Sequence, residues 1–412
     1  MGVKLLWYLT GPDGPYPWEP EGRLPTDFAH LQELAKTIDR LGYFGALLGT
    51  GDNEVLTVAA SMISVTEKMR FLAALYPGLI APAKLAQIVQ TIDRFSGGRL
   101  LLNVVNGQDP QLLPFGLHIP HDERYEYSLD YWRAFKELYP GNTRGYRSSR
   151  FDIAPAPADG GLMGNWLGPQ VRPSIPLWGA GTSPAGVQHS VRLLDVYLSF
   201  ANTPPLLGQK FARVASEAAA LGRTLHFGTR LQVIVRETEE EAWRHADWLL
   251  SKASHDYIHR SIRRQLPPGT DLATFRSDDP QIQRNIDTVR SGRLPTARDL
   301  EIYPNVWIGP GWFNFDLLGP LTGTCLVGSA HNVAERIREF AANGVEAFIL
   351  SGFPLIEEAH RVADLLFPLL DLDHDEWAAP APRATGGGLE QDGPILLRTP
   401  PVVVPGEPLR VP

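Results

Sequence analysis

Residues 70–105 read RFLAALYPGLIAPAKLAQIVQTIDRFSGGRLLLNVV, and this stretch decides the fold. Two short aliphatic runs, Arg70–Leu75 and Leu100–Val105, bracket an amphipathic helical pattern, Ala83–Phe95, with Pro82 where a first-turn proline is tolerated. A strand, a helix and a second strand in this order make a βαβ unit of a parallel sheet. The same alternation recurs on both sides, with further strand-like runs at Val3–Leu9, Phe44–Gly49, Pro176–Gly179, Val196–Phe200, Phe227–Val235 and Ala347–Ser351. Eight strands, each followed by its own helix, predict an α/β fold of the closed (β/α)8 barrel type. Local signals agree: Thr26-Asp27 offers an N-cap to Phe28–Leu41, Gly42 stops that helix, and Glu237–Leu250 opens with acidic residues that suit a helix N-terminus.

Two excursions break the rhythm. Residues Thr143–Ser174 are rich in Gly and Pro, and Ser251–Pro304 are rich in Arg, Asp, Ser and Pro. Both are expected as loop-face insertions at the C-terminal rim, where such barrels build their sites, and 251–304 is expected to act as a mobile lid. The barrel domain is placed at 1–372 and a Pro- and Gly-rich tail, extended or disordered, at 373–412.

Composition narrows the function. The chain has 412 residues, 43% of them hydrophobic and 20% charged, enough to bury a large core. A formal charge of −8 disfavours nucleic acid, whose phosphates reward clustered Lys and Arg. A single Cys, Cys325, cannot form an internal disulfide, nothing like a cleavable signal precedes Gly11-Pro-Asp-Gly14, and no apolar run reaches the roughly 20 residues of a membrane span. The expectation is a cytoplasmic protein with no membrane or nucleic-acid partner.

Three constellations carry chemistry. Trp178–Gly186 (WGAGTSPAG) joins a strand to the helical pattern Ala185–Leu194 and includes Gly181, Thr182 and Ser183. Backbone N–H groups and hydroxyls at such a turn can cradle a phosphate, although a tight βα turn accounts for the same residues. After the fourth run, Asn103-Val-Val-Asn106-Gly-Gln-Asp109 is followed by His121-Asp-Glu-Arg-Tyr125. Amides at a strand end can bond the edge of a planar heterocycle and a Tyr hydroxyl can close over a phosphate, while Asn there also serves as a turn residue. In the seventh run Arg230 and Gln232 alternate onto one face, placed here toward the barrel interior. No metal site is expected: His255 and His259 lie four apart, but no third ligand is near.

With these residues in view, the sequence resembles the alkanesulfonate monooxygenase branch of the bacterial luciferase-like flavoproteins over about residues 3–372. The match runs in order through Asp39-Arg-Leu-Gly-Tyr43, Val58–Met62, Thr91–Arg94, Gly98-Arg99, Asn103–Asp109, His121–Tyr125, Gly179–Gly186, Arg230–Thr238, Leu350-Ser-Gly352, Glu357-Glu358 and Leu365–Leu370. The resemblance implies FMN at the C-terminal rim, with Asn103 and Asn106 beside the isoalloxazine and His121, Tyr125, Gly181, Thr182 and Ser183 around the ribityl phosphate. It also implies a separate NAD(P)H:FMN reductase that supplies FMNH2, reaction with O2 to a flavin peroxide that oxygenates a small organic substrate, and a homodimer or homotetramer.

The sulfonate-reading positions depart from that pattern. Where the family carries Arg and His, this chain keeps Arg230 but has Gln232; the family's Cys after the second strand is absent from the shortened Gly51–Glu54 loop; Tyr76 replaces an Arg and Phe353 a Tyr. A rim loop that holds an Arg in the family reads Gly311-Trp312-Phe313-Asn-Phe315-Asp-Leu-Leu318. Each lost charge-assisted bond would cost roughly 1.5–3 kcal/mol of sulfonate binding. The expected substrate is therefore larger and more apolar, with Arg230 and Gln232 catalytic and Tyr76, Trp312, Phe313 and Phe353 lining the pocket. Other readings stay open: aromatic residues that only pack the lid, an Arg230 that serves a barrel salt bridge, and a sulfonate enzyme releasing sulfite with its clamp rebuilt from Arg263, Arg290 or Arg293. So do a deazaflavin-dependent oxidoreductase and a flavin-binding protein without activity.

Overall fold

The computed structural model describes residues 2–141, 145–155, 172–267 and 269–374. The tail from residue 375 and most of the 143–174 excursion lie outside these residues. In chain order the strands are β1 (Lys4–Thr10), β2 (Gly45–Leu48), β3 (Arg70–Leu75), β4 (Leu100–Val104), β5 (Tyr146–Arg147), β6 (Asp152–Ile153), β7 (Leu177–Ala180), β8 (Val196–Phe200), β9 (His226–Arg236), β10 (Glu301–Tyr303), β11 (Val306–Ile308), β12 (Thr324–Ser329) and β13 (Ala347–Ser351). Parallel pairing runs β1–β2–β3–β4–β7–β8–β9–β13 and returns from β13 to β1, which closes an eight-stranded barrel. These eight are the runs read from the sequence. All seven residues of β1 are buried, because one face fills the barrel and the other meets the surrounding helices.

The helices form where their caps dictate. Asp27 accepts from the His30 N–H, and Gly42, at φ 81°, ends Phe28–Leu41 in the left-handed conformation that favours glycine. The helix expected at Glu237–Leu250 begins two residues later, at Glu239, because the Thr238 hydroxyl accepts from the Glu241 N–H and leaves Arg236 in the strand. Arg236 is thereby buried and makes a bidentate pair with Glu358, both N–O distances being 3.0 Å.

The second excursion is more ordered than a charged loop. Its helices His255–Gln265 and Pro280–Arg290 bury Tyr257, Ile258, Ile262, Ile282 and Ile286 in a separate apolar cluster with Trp307, Phe315 and Leu317. This cluster rests on an added sheet that the sequence did not reveal. β10 and β11 are antiparallel, β11 pairs with β12, and β12 runs parallel to the distal half of β9. Within β9, Gly228–Gln232 register with β13, and Gln232–Arg236 register with β12. One strand therefore closes the barrel and anchors the insertion.

Candidate active site at the barrel rim

Because the eight strands are parallel, the segments that follow them emerge on one rim. Asn103 and Asn106 follow or end β4, Tyr76 follows β3, Gly181–Ser183 follow β7 and Phe353 follows β13. These segments form two describable groups and a third around Arg230.

At the β4 end, Asn103 is partly buried and Asn106 presents a buried side-chain oxygen with no hydrogen-bond partner among the described residues. A buried acceptor without a donor costs stability unless a ligand satisfies it. Tyr76 belongs to this group: its ring packs on Gly107, where a Cβ would lie 3.0 Å from it, and its hydroxyl donates to Thr50 Oγ1 at 3.0 Å.

At the β7 end, Ser183 caps the helix Pro184–Leu193 by accepting from the Gly186 N–H at 3.1 Å, which leaves its own proton to donate outward. The Tyr125 hydroxyl lies 3.4 Å from Ser183 Oγ. Gly181 and Gly186 touch backbone to backbone, since a Cβ on Gly181 would sit 2.4 Å from the Gly186 carbonyl oxygen. Thr182 and Ser183 are exposed on this turn, and His121 is exposed one turn before Tyr125. Hydroxyls, a helix N-terminus and a backbone without side chains make an anion cradle.

Beneath Tyr125, at 5.5 Å between ring centres, His189 is buried with Nε2 3.0 Å from Ser128 Oγ and Nδ1 unpartnered. Burial, aided by Arg192, pushes its pKa down from 6.5 to about 4, so the fold holds the neutral ring. Its contribution is present above pH 6.5 and is lost as pH falls through about 4. The span between those values corresponds to about 3 kcal/mol. Melting temperatures followed from neutral to acid pH are expected to fall less steeply for His189→Leu than for the wild type.

The third group surrounds Arg230 in β9. Its guanidinium carbon lies 5.2 Å from the Tyr8 ring, 5.3 Å from Trp312 and 5.8 Å from Phe200, an aromatic cage on three sides. Arg230 Nη1 and Gln232 Nε2 both donate to the Thr322 carbonyl at 3.3 Å, and Arg230 Nε has no partner among the described residues. Burial lowers the Arg230 pKa, opposed by Tyr8 and Asp316, and burial raises that of the Tyr8 phenol. Asp316, fully buried, braces the loop by accepting from Leu321, Gly323 and Thr324, yet burial still raises its pKa to about 7. Trp312 stands edge-on to Tyr8 at 4.5 Å and covers Gly11, while Phe353 is buried 6.1 Å from Trp312. Phe313 is half exposed.

The cage thus unites Arg230, Gln232 and Trp312 with Phe353 behind them. Sequence reasoning missed Tyr8 and Phe200, which sit in apolar runs read as core, as well as Asp316 and the Thr322 carbonyl. Arg263, Arg290 and Arg293 line a different cavity, behind the helix His255–Gln265.

A desolvated cation in an aromatic cage, a strand end with amide acceptors and a turn able to receive an anion lie on one rim of a (β/α)8 barrel. The chain belongs to the luciferase-like monooxygenase family, whose model matches residues 4–347. Among solved structures it is similar to a long-chain alkane monooxygenase, at 17% identity and a TM-score of 0.68 over 89% of this chain and 91% of that one. It is also similar to a riboflavin lyase solved with modified FMN and riboflavin, at 17% identity and 0.64 over 90% and 91%. An F420-dependent secondary alcohol dehydrogenase follows at 14% identity and 0.57 over 90% and 100%. At these identities the likeness shows the shared barrel.

Proposed function

We propose that the chain is the oxygenase of a two-component system, taking FMNH2 from an NAD(P)H:FMN reductase and using O2 to oxygenate an apolar or aromatic substrate larger than a simple alkanesulfonate. The observation that carries this reading is the cage around Arg230, where aromatic area stands in place of further cations. The residues present fit FMN. The unpartnered Asn106 oxygen suits a ring N–H donor, and the Tyr125–Ser183 cradle suits the phosphate. When bound, reduced flavin supplies the two electrons with which dioxygen gives one oxygen to the substrate and one to water.

The chain's own residues do the rest. Asn103 and Asn106 orient the ring, and Thr182, Ser183, Tyr125 and His121 hold the phosphate. Trp312, Phe353 and Tyr8 exclude water. Arg230, held with its charge in a low-dielectric cage, stabilises negative charge that develops on oxygen. Gln232 fixes the same carbonyl as Arg230 without adding a cation, which weakens any claim of a sulfonate on this face.

The test is turnover with FMN, a flavin reductase and isotopically labelled dioxygen across a panel of alkyl, aromatic and sulfonated substrates. Label in an apolar product supports the reading. Sulfite released from simple alkanesulfonates would overturn the substrate assignment, and anaerobic turnover with reduced deazaflavin would overturn the oxygenase. Gly181→Ala, which drives a methyl into the Gly186 carbonyl, is expected to raise the FMN Kd at least about tenfold by opening the cradle.

A further inference from the structure

The helix His255–Gln265 has two working faces. Tyr257 and Gln265 turn toward the rim loop: the Tyr257 hydroxyl bonds the Gly311 carbonyl, and Gln265 accepts from the Leu318 N–H at 3.1 Å. The opposite face, with His255, Ile258, His259, Ile262 and Arg263, lines a cavity of about 940 Å³ whose far wall includes Leu272, Val289 and Arg293. That volume is of the size that holds small-molecule ligands.

The lining is apolar below and polar above, where two guanidinium groups and two imidazoles stand. Ile258 and Ile262 are buried in its floor, and His255, His259, Arg263 and Arg293 are exposed around its mouth. Arg290 builds the wall, since Nε bonds the Leu272 carbonyl and its guanidinium also reaches the Phe275 carbonyl. The groups at the mouth lack such work. Among the described residues Arg263 has no hydrogen-bond or ion-pair partner, the two imidazole rings lie 4.4 Å apart between centres, and Arg293 bonds one serine hydroxyl. Asp271 is the single carboxylate in the described lining, and it accepts from the Ala273 N–H. Two guanidinium groups at the mouth of an apolar cavity repel one another until an anion joins them.

We propose that this cavity is a second ligand site, distinct from the barrel rim, for a small anionic amphiphile whose apolar body lies on Ile258, Ile262 and Leu272 and whose acid group meets Arg263, Arg293 and the His255–His259 pair. The site needs no flavin, because the helix stands between it and the rim loop.

Calorimetry on the full chain with dodecanoate tests it, with dodecanol as the uncharged body and acetate as the bare head group. One dodecanoate is expected per chain, bound at least about tenfold more tightly than dodecanol, with acetate undetected. The double substitution Arg263→Glu and Arg293→Glu, both at exposed positions, is expected to weaken dodecanoate at least about tenfold, and Arg230→Ala to leave it unchanged. Affinity in the double variant within about twofold of wild type, or no binding by wild type, would overturn the site. Loss of binding in Arg230→Ala would move the probe to the barrel rim and overturn it equally.

Discussion

Arg230→Ala is expected to lower kcat/KM for oxygenation by about 100-fold or more, the usual consequence of removing a preorganised charge from a water-excluded site. The loss should fall mainly on kcat, with the FMN Kd little changed, because among the described residues no hydrogen bond or ring contact joins Tyr125, Gly181, Thr182 or Ser183 to Arg230 or its three rings. Stability should change little, since the three ring contacts and the Thr322 bond that are lost are offset by relief of a desolvated charge whose Nε has no partner among the described residues. Arg230→Lys tests the shape of the group. A lysine keeps the charge but not the plane that three rings enclose, so it should recover only a small part of the rate. Steady-state kinetics with a substrate found in the labelled-oxygen panel, alongside thermal melts, would check both; a variant that melts early and loses flavin would show Arg230 to be structural.

The largest expected effect on stability lies at Glu358. This residue and Arg236 are buried, at 3% and 8% exposure, and face each other through two 3.0 Å contacts. Glu358→Ala leaves a buried guanidinium without its carboxylate, which costs about 3–5 kcal/mol. The pair itself is a different matter, because desolvation offsets most of its attraction. Replacing both residues with Met is expected to restore most of the stability lost by Glu358→Ala. Denaturant titration of the wild type, the single variant and the double variant would decide it. A double variant as unstable as the single one would show that Glu358 acts through packing against Gly352, where a Cβ would lie 2.6 Å from the Glu358 Cβ.

The barrel was legible because each of its strands is an apolar run followed by a helical pattern. The added strands were not: β10 and β11 have three residues each, and β12 joins the barrel through a partner about ninety residues earlier in the chain. Arg230 and Gln232 could be placed by alternation alone. Tyr8 could not, since between Lys4 and Thr10 the strand is LLWYL, whose inward residues look like its outward ones. Phe200 ends a similar run. The Thr322 carbonyl is invisible in principle, because a backbone oxygen carries no residue signature. The stretch His255–Gln265 reads as a polar lid helix, and charge hides its buried face, which is only a few residues wide.

The handover along β9 has a mechanical consequence. Gln232 is the residue that registers with both β13 and β12, and Arg230 lies two positions before it. Any tilt of the insertion therefore pulls on the barrel at the point where the caged cation is mounted. β12 meets the barrel through a continuous ladder rather than a hinge, so a twist of the outer sheet would reach the strand that carries the guanidinium without a joint to absorb it.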